Sequence, residues 1–332
     1  MKQSSSAKIQ LGIAAWIIVF SFWGTFTRVG VGDLSNYSGR AVFASAWVQF
    51  VGCVTMGFAN ASLKSHKSHE WTKSTQIFSK SIIVGYCGST TSFSTYIVDL
   101  FYALANVSDF AGDHARGYNV LTFLTVLIGS IAFSMFGMGL GIHIGSYFDL
   151  MELPDKLPYP EEVGVALAVF HFAACALLVG LVPNSRTYTY SALFGPFGAL
   201  LRWKLGDLNT KSNHFFWGTW AANMIGTTVI CILIPLQGFL ERKAASHFTS
   251  VNICEAMLAL EVGFCGGLTT ISTFIAEIDK LRIQGRGTRI TIYYLASVVP
   301  TLMIAVIALG IAYWGFDELP SSTCFTANLS GT

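Results

Sequence analysis

The chain has 332 residues, of which 53% are hydrophobic and only 11% charged, with a mean hydropathy of +0.56. Soluble domains carry about 25% charged residues, so the composition excludes an ordinary soluble enzyme or binding module. The net charge of +2, with its basic residues in loops between apolar blocks, excludes a nucleic-acid-binding surface.

Nine apolar blocks are predicted to cross a bilayer, which takes ~20 residues each. They are 9–27, 41–61, 81–104, 118–143, 163–183, 188–202, 215–239, 251–280 and 290–314. A polar start, 1–10, leads into the first block, so no cleavable signal peptide is expected and that block serves as the insertion signal. It contains Gly24-Thr25-Phe26-Thr27-Arg28 and is followed by Gly32-Asp33-Leu34. Gln49 and Gly52 lie in the second block. The third reads Gly85-Tyr86-Cys87-Gly88-Ser89-Thr90-Thr91-Ser92-Phe93-Ser94-Thr95-Tyr96, with Asp99 three residues beyond. So many Gly, Ser and Thr residues loosen a helix, and freed backbone is tolerated at membrane depth only inside protein or along a watery path. The fourth block carries Tyr118, Thr122 and Val126 at helical spacing. A Pro-rich acidic linker, Met151 to Glu162, precedes the fifth block.

The sixth block is short and interrupted by Pro196, and there the pattern restarts. Gly198-Ala199-Leu200-Leu201-Arg202, then Gly206-Asp207-Leu208, repeats the first block 174 positions on. Asn223 and Gly226 follow at the same offset from Gln49 and Gly52. The eighth block reads Gly263-Phe264-Cys265-Gly266-Gly267-Leu268-Thr269-Thr270-Ile271-Ser272-Thr273-Phe274, and Glu277 matches Asp99. The ninth carries Tyr293, Ser297 and Thr301 at i, i+4 and i+8, one stripe of hydroxyls. The fifth block matches nothing in either half. Four spans return the chain to its starting side and a fifth reverses the second half. The expected architecture is therefore an all-α polytopic membrane protein: two inverted four-helix repeats joined by a linking transmembrane helix, with a broken third helix in each repeat. Its parts are 1–148, the first repeat; 149–186, the acidic linker and inverting helix; 187–316, the second repeat; and 317–332, an extracellular tail. Of the Lys and Arg residues, 14 fall on the N-terminal side and 6 on the other. The N-terminus is thus expected in the cytoplasm and the C-terminus outside. Sequons at Asn36, Asn106 and Asn328 would face outward.

A repeated broken helix is the sequence mark of a transport site. Carbonyls at Gly88, Thr91, Gly266 and Thr269 would converge where the halves cross and form an oxygen cage suited to Na⁺; the same small residues also suit close helix packing. Phe93 and Tyr96, like Ile271 and Phe274, share a helix face. The positive edges of aromatic rings attract a dehydrated anion weakly, which suits conduction, and plain packing accounts for such rings equally. Asn223 is an intramembrane amide that could serve an anion or a neighbouring helix. The hydroxyls of the ninth block could form a dehydrating ladder or bond to their own backbone. Arg28 and Arg202 end their spans, where they could snorkel or concentrate anions in aqueous vestibules. Glu277 repels an anion, so it is expected to pair with a base or shape a vestibule. Of the seven cysteines, six lie in or beside spans and Cys324 sits in the tail, with no zinc-type Cys/His set and no Walker A pattern. No nucleophile motif accompanies His143 or His171, so an intramembrane enzyme is not expected.

The two broken-helix motifs, the Gly-rich helices ending in Arg28 and Arg202, and the Asn223…Gly226 pair resemble the fluoride channel family, the Fluc/CrcB/FEX group. The resemblance covers both four-span halves and is closest to the fused, eukaryotic exporters. It implies a passive fluoride channel of the plasma membrane, working as a single chain without organic cofactor and serving detoxification. It implies pores bounded by one Phe position from each half, the first of one motif facing the last of the other: here Phe93 with Phe274, and Ile271 with Tyr96. The second pair keeps no Phe, so one working pore is expected. Asn223, Tyr293, Ser297 and Thr301 are assigned to it; Tyr96, Ile271 and Gln49 belong to the degenerate one. A structural Na⁺ is implied on the carbonyls of Gly88, Thr91, Gly266 and Thr269, with Ser89 standing where the family has a second Gly. The competing reading is a proton- or sodium-coupled secondary transporter of fluoride or another small solute, with Glu277 and Asp99 as proton sites.

Overall fold

The computed structural model describes residues 2–37, 39–64, 72–107, 110, 112, 115–148, 157–211, 215–243 and 247–316. The tail 317–332, residues 151–156 of the acidic linker and the sequon residues Ser38, Ser108 and Asn328 lie outside the described residues.

Every described element is helical. In chain order they are α1 (Lys2–Ser35), α2 (Ser45–Lys64), α3 (Lys73–Ser81), α4 (Phe93–Ala105), α5 (Tyr118–Gly145), α6 (Pro160–Leu181), α7 (Arg186–Gly206), α8 (Trp217–Lys243), α9 (His247–Leu258), α10 (Ser272–Ile283) and α11 (Gly287–Gly310). Among the described residues, six helical stretches are long and apolar enough to cross a membrane: Ala7–Ser35, Tyr118–Gly145, Pro160–Leu181, Trp217–Lys243, Asn252–Ile283 and Gly287–Gly315. Exposed Val169, Phe170 and Leu177 on α6, with Ile292, Val299 and Met303 on α11, give these helices apolar outer faces. Pro196, expected to interrupt its block, does not: α7 runs unbroken through it.

The two broken helices are built alike. After α3 the chain widens into a π-helix, Ile82–Cys87, and one more turn, Gly88–Thr90. It leaves the helix at Thr91 (φ −91°, ψ 152°) and Ser92 (φ −139°, ψ 119°) before α4 begins. After α9 the sequence is the same: a π-helix, Ala259–Cys265, a turn, Gly266–Leu268, and an extended Thr269 (φ −87°, ψ 156°) before α10. Ser92 caps α4, its hydroxyl accepting from Thr95 N at 3.2 Å, which supplies an otherwise orphaned helix N–H with a partner.

Glycine sets how closely the rest can approach. A Cβ on Gly24 of α1 would sit 2.5 Å from Tyr86 O, and one on Gly198 of α7 would sit 2.2 Å from Phe264 O. Equivalent positions of the two repeats therefore make equivalent contacts: each Gly-rich helix lies backbone to backbone against the π-segment of its own repeat. The linking helix α6 is anchored to the first repeat. Trp16 Nε1 donates to Pro160 O at 2.7 Å, and Lys73 pairs with Glu161. The largest apolar cluster combines Phe93, Tyr96 and Phe101 with Ile271, Phe274 and Tyr293, so the core joins residues of both repeats.

Candidate functional site

The two breaks lie against each other and cap each other. Thr91 Oγ1 accepts from Ile271 N (3.2 Å) and Ser272 N (3.0 Å). Thr269 Oγ1 accepts from Ser94 N at 3.2 Å and lies within hydrogen-bond distance of the Ser92 and Ser94 hydroxyls. Leaving a helix exposes N–H and C=O groups that must find partners when buried. Here a threonine of one repeat supplies them for the other, and Thr91 and Thr269 are fully buried.

The side-chain amides complete this arrangement. Asn223 Oδ1 accepts from Thr270 N (2.8 Å) and its Nδ2 donates to Thr270 O (3.2 Å). Gln49 does the same at Ser92, accepting from its N (3.3 Å) and donating to its O (2.8 Å). Of the two roles open to Asn223 in the sequence, the structure fills the one toward its neighbour; one amide proton remains for another acceptor. Replacing Asn223 with Leu strips Thr270 of both partners. An unsatisfied buried polar group costs about 1–3 kcal/mol, so N223L is expected to melt several degrees below wild type. An unchanged melting curve would mean that Thr270 finds other partners.

Phe93 and Phe274 meet across the repeats, with centroids 5.5 Å apart and planes at 71°. This edge-to-face contact is the favoured geometry for aromatic pairs. Tyr293 lies 5.0 Å from Phe274. Tyr96, assigned by sequence to the other pair, also touches Phe93 (5.8 Å), and its hydroxyl meets that of Tyr294 at 3.2 Å. Ile271 is fully buried in the same cluster.

The hydroxyl stripe on α11 is buried too. Ser297 Oγ donates to Tyr293 O (2.8 Å) and Thr301 Oγ1 to Ser297 O (2.6 Å), so both protons are turned to the backbone one turn earlier. Those carbonyls already serve the helix, and a hydroxyl can rotate away from such a bond at little cost.

Glu277 differs from its expected place. It is 8% exposed rather than vestibular, and it accepts from Thr219 Oγ1 (2.6 Å), Asn209 Nδ2 (3.0 Å) and Tyr293 OH (2.6 Å). Three donors suit a buried carboxylate that, among the described residues, forms no ion pair. Asn209 and Thr219 escaped the sequence reading, although the repeat holds a signal. Offset by 174, Thr219 answers Ser45, and Ser45 Oγ donates to Asp99 Oδ2 at 2.6 Å.

The arginines depart furthest. Arg28 and Arg202 are 7% and 6% exposed, so neither lines an aqueous vestibule. The physical reason is helix length: α1 continues to Ser35 and α7 to Gly206, which puts both arginines inside their helices. Arg28 Nη2 donates to Val262 O. Arg202 Nη1 donates to Gly88 O (2.9 Å), Thr269 O (3.1 Å) and Gly267 O, and its Nη2 to Val84 O (2.6 Å). Gly88 and Thr269 are two of the four residues assigned to Na⁺. Two unit charges 4 Å apart repel by about 4 kcal/mol at an effective dielectric of ~20. The carbonyl set of Gly88, Thr91, Gly266 and Thr269 therefore does not fit an alkali cation beside Arg202.

Comparison with known proteins agrees with the repeat. A Fluoride export protein 1 of Candida albicans is 30% identical over 281 residues, covering 80% of this chain and 72% of that protein. The Fluoride export protein 1 of Saccharomyces cerevisiae is 29% identical, covering 89% of this chain and 91% of its own length. A bacterial protein of Streptococcus pneumoniae, Fluoride-specific ion channel FluC 2, is 33% identical over 108 residues, 32% of this chain and 80% of that one. No solved structure matches the chain. The family model described as CrcB-like protein, Camphor Resistance (CrcB), matches twice, over residues 15–142 and 189–311, and leaves α6 between the two matches. With both helical repeats accounted for by the same family model, this chain belongs to the CrcB family.

Proposed function

We propose that this chain is a passive, fluoride-selective channel through which fluoride leaves the cytoplasm. Its fungal relatives named for fluoride export cover most of its length. Within the molecule, the observation that carries the reading is the edge-to-face contact of Phe93 with Phe274, one ring from each repeat, beside the buried hydroxyls of the two breaks. Fluoride is the anion of a weak acid. Neutral HF crosses lipid from an acidic exterior and ionises inside. A cell-negative potential is worth about 2.3 kcal/mol per charge per 100 mV, which drives the anion out through an open path without ATP.

On this reading the chain crosses the plasma membrane nine times: α1, α2, the α3–α4 pair and α5; then α6; then α7, α8, the α9–α10 pair and α11. One crossing between the repeats inverts the second, so the N-terminus is cytoplasmic and the C-terminus extracellular. The repeats are 1–148 and 187–316, joined through 149–186 and followed by a tail at 317–332, and one chain suffices. The working pore runs past Phe93 and Phe274, with Asn223 at the break and Tyr293, Ser297 and Thr301 along α11. Ring edges hold a desolvated anion weakly enough to release it, and rotating hydroxyls replace its water. Tyr96 and Ile271 leave the second pair without a Phe, and Gln49 belongs to that degenerate side.

A second reading, a proton-coupled fluoride transporter, draws on one observation: Glu277 is buried against Tyr293, which itself touches Phe274. Purified protein in liposomes, followed with a fluoride electrode and a proton dye, separates the two. A channel is expected to release fluoride at a rate set by the imposed voltage, with chloride retained. Glu277→Gln is expected to retain voltage-driven flux. A fixed proton-to-fluoride ratio, lost in Glu277→Gln, would instead establish coupling. Liposomes that lose chloride as fast as fluoride would remove fluoride selectivity.

A further inference from the structure

Arg28 and Arg202 hold equivalent positions in the two repeats, yet they make unequal contacts. What they share is a bond to the π-segment of the opposite repeat: Arg202 Nη2 to Val84 O, and Arg28 Nη2 to Val262 O. The difference lies where the breaks cross. Arg202 Nη1 reaches Gly88 O in the first repeat and Gly267 O and Thr269 O in the second. By the repeat, Arg28 Nη1 would reach Gly266, Ser89 and Thr91. Instead Arg28 Nη1 and Nε are buried without a hydrogen-bond partner.

Charge explains the inequality. Both guanidiniums are protonated at physiological pH. Among the described residues neither is paired with a carboxylate. A crossing made of neutral carbonyls attracts one positive charge and repels a second in a low-dielectric interior. Glycine makes room for both guanidiniums, since a Cβ on Gly88 would lie 2.3 Å from Arg202 Nη2 and one on Gly266 2.4 Å from Arg28 Nη1, so it is the hydrogen bonds to the crossing carbonyls that single out Arg202. The fork of Arg202 also does what a point charge does, tying carbonyls of both repeats to one centre, and it does so from a third helix, α7.

We propose that Arg202 is the resident cation of this crossing: its guanidinium stands where the family resemblance implies Na⁺, and the repeats are held together there without a metal ion. The asymmetry between Arg202 and Arg28 makes the idea specific to one of two equivalent side chains.

The test is thermal melting of the purified full chain in NaCl, KCl and N-methylglucamine chloride at equal ionic strength, without fluoride. Wild type is expected to melt at the same temperature in all three salts. Arg202→Gln frees the carbonyls, and it is expected to gain a Na⁺-specific, saturable rise of a few degrees, as ligand binding to the folded state produces. Arg28→Gln is expected to remain indifferent to Na⁺. Na⁺-specific stabilisation of wild type would overturn the proposal. So would a folded Arg202→Gln that ignores Na⁺, or a Na⁺ response that appears in Arg28→Gln instead. Should Arg202→Gln not fold, the wild-type titration decides by itself, with ²³Na linewidths as its second readout: K⁺-insensitive broadening by wild type overturns the proposal and its absence supports it. None of these measurements uses fluoride, so a failure of the conduction reading would leave the result intact and distinguishable.

Discussion

Phe93→Ile and Phe274→Ile are each expected to abolish fluoride efflux from liposomes, to the background of empty vesicles, while Tyr96→Phe retains most of it. The two rings meet edge to face at 5.5 Å, and each comes from a different repeat. Isoleucine fills much of the space but has no quadrupole, so the weak attraction that an aromatic edge offers to an anion disappears. Such a site works in a narrow range, firm enough to replace water and loose enough to release the ion. Losing one ring therefore costs far more than its packing. Tyr96→Phe keeps the ring that touches Phe93 and removes only the hydroxyl that meets Tyr294 at 3.2 Å. Protein melting, measured alongside, separates lost conduction from lost folding. Equal loss from Tyr96→Phe and Phe274→Ile would mean that the working path includes the pair assigned to the degenerate side. Wild-type flux from a folded Phe274→Ile would remove the aromatic pair from the path.

Much of this site is written in the spacing of the chain. The constant offset of the second motif matches Phe93 with Ile271 and Tyr96 with Phe274; the pairing of Phe93 with Phe274 is what the family resemblance implies, and the breaks at Thr91 and Thr269 fall within the Gly/Ser/Thr runs that predict them. What the spacing does not contain is the direction in which a polar group finds its partner. Asn223 reads as a donor to an ion, but the backbone N–H of Thr270, freed by the break, lies at 2.8 Å. The Ser297 and Thr301 hydroxyls read as a ladder, but the nearest acceptor of each is its own helix. Glu277 reads as the partner of a base or as part of a vestibule because its three donors come from positions 209, 219 and 293, which the motif spacing does not bring together. Arg28 and Arg202 read as interfacial because apolar blocks end near them. The helices continue beyond the apolar stretch, and buried carbonyls supplied by both π-helices and by the second break draw the guanidiniums inward.

Gly198→Val is expected to leave no correctly folded protein, whereas Gly30→Ala is expected to be neutral. The first Cβ would stand 2.2 Å from Phe264 O and 2.6 Å from Leu268 N. Both neighbours are backbone of the π-segment and the turn that follows it, so neither can rotate aside as a side chain would. Overpacking a core typically costs about 1–3 kcal/mol when side chains can adjust. Here the helices must separate, and separation pulls Arg202, four residues further along α7, away from Gly88, Gly267 and Thr269. A single added isopropyl group thus breaks a helix contact and the polar centre together. At Gly30 nothing lies within 4 Å of the added atom, and alanine is the better helix former by roughly 1 kcal/mol. Yield of a single symmetric peak in detergent size-exclusion, followed by melting, reads both variants. A Gly198→Val protein that elutes and melts as wild type would show that α7 does not depend on backbone contact with the second break, and the close packing of α7 on the π-segment of its own repeat would fall with it.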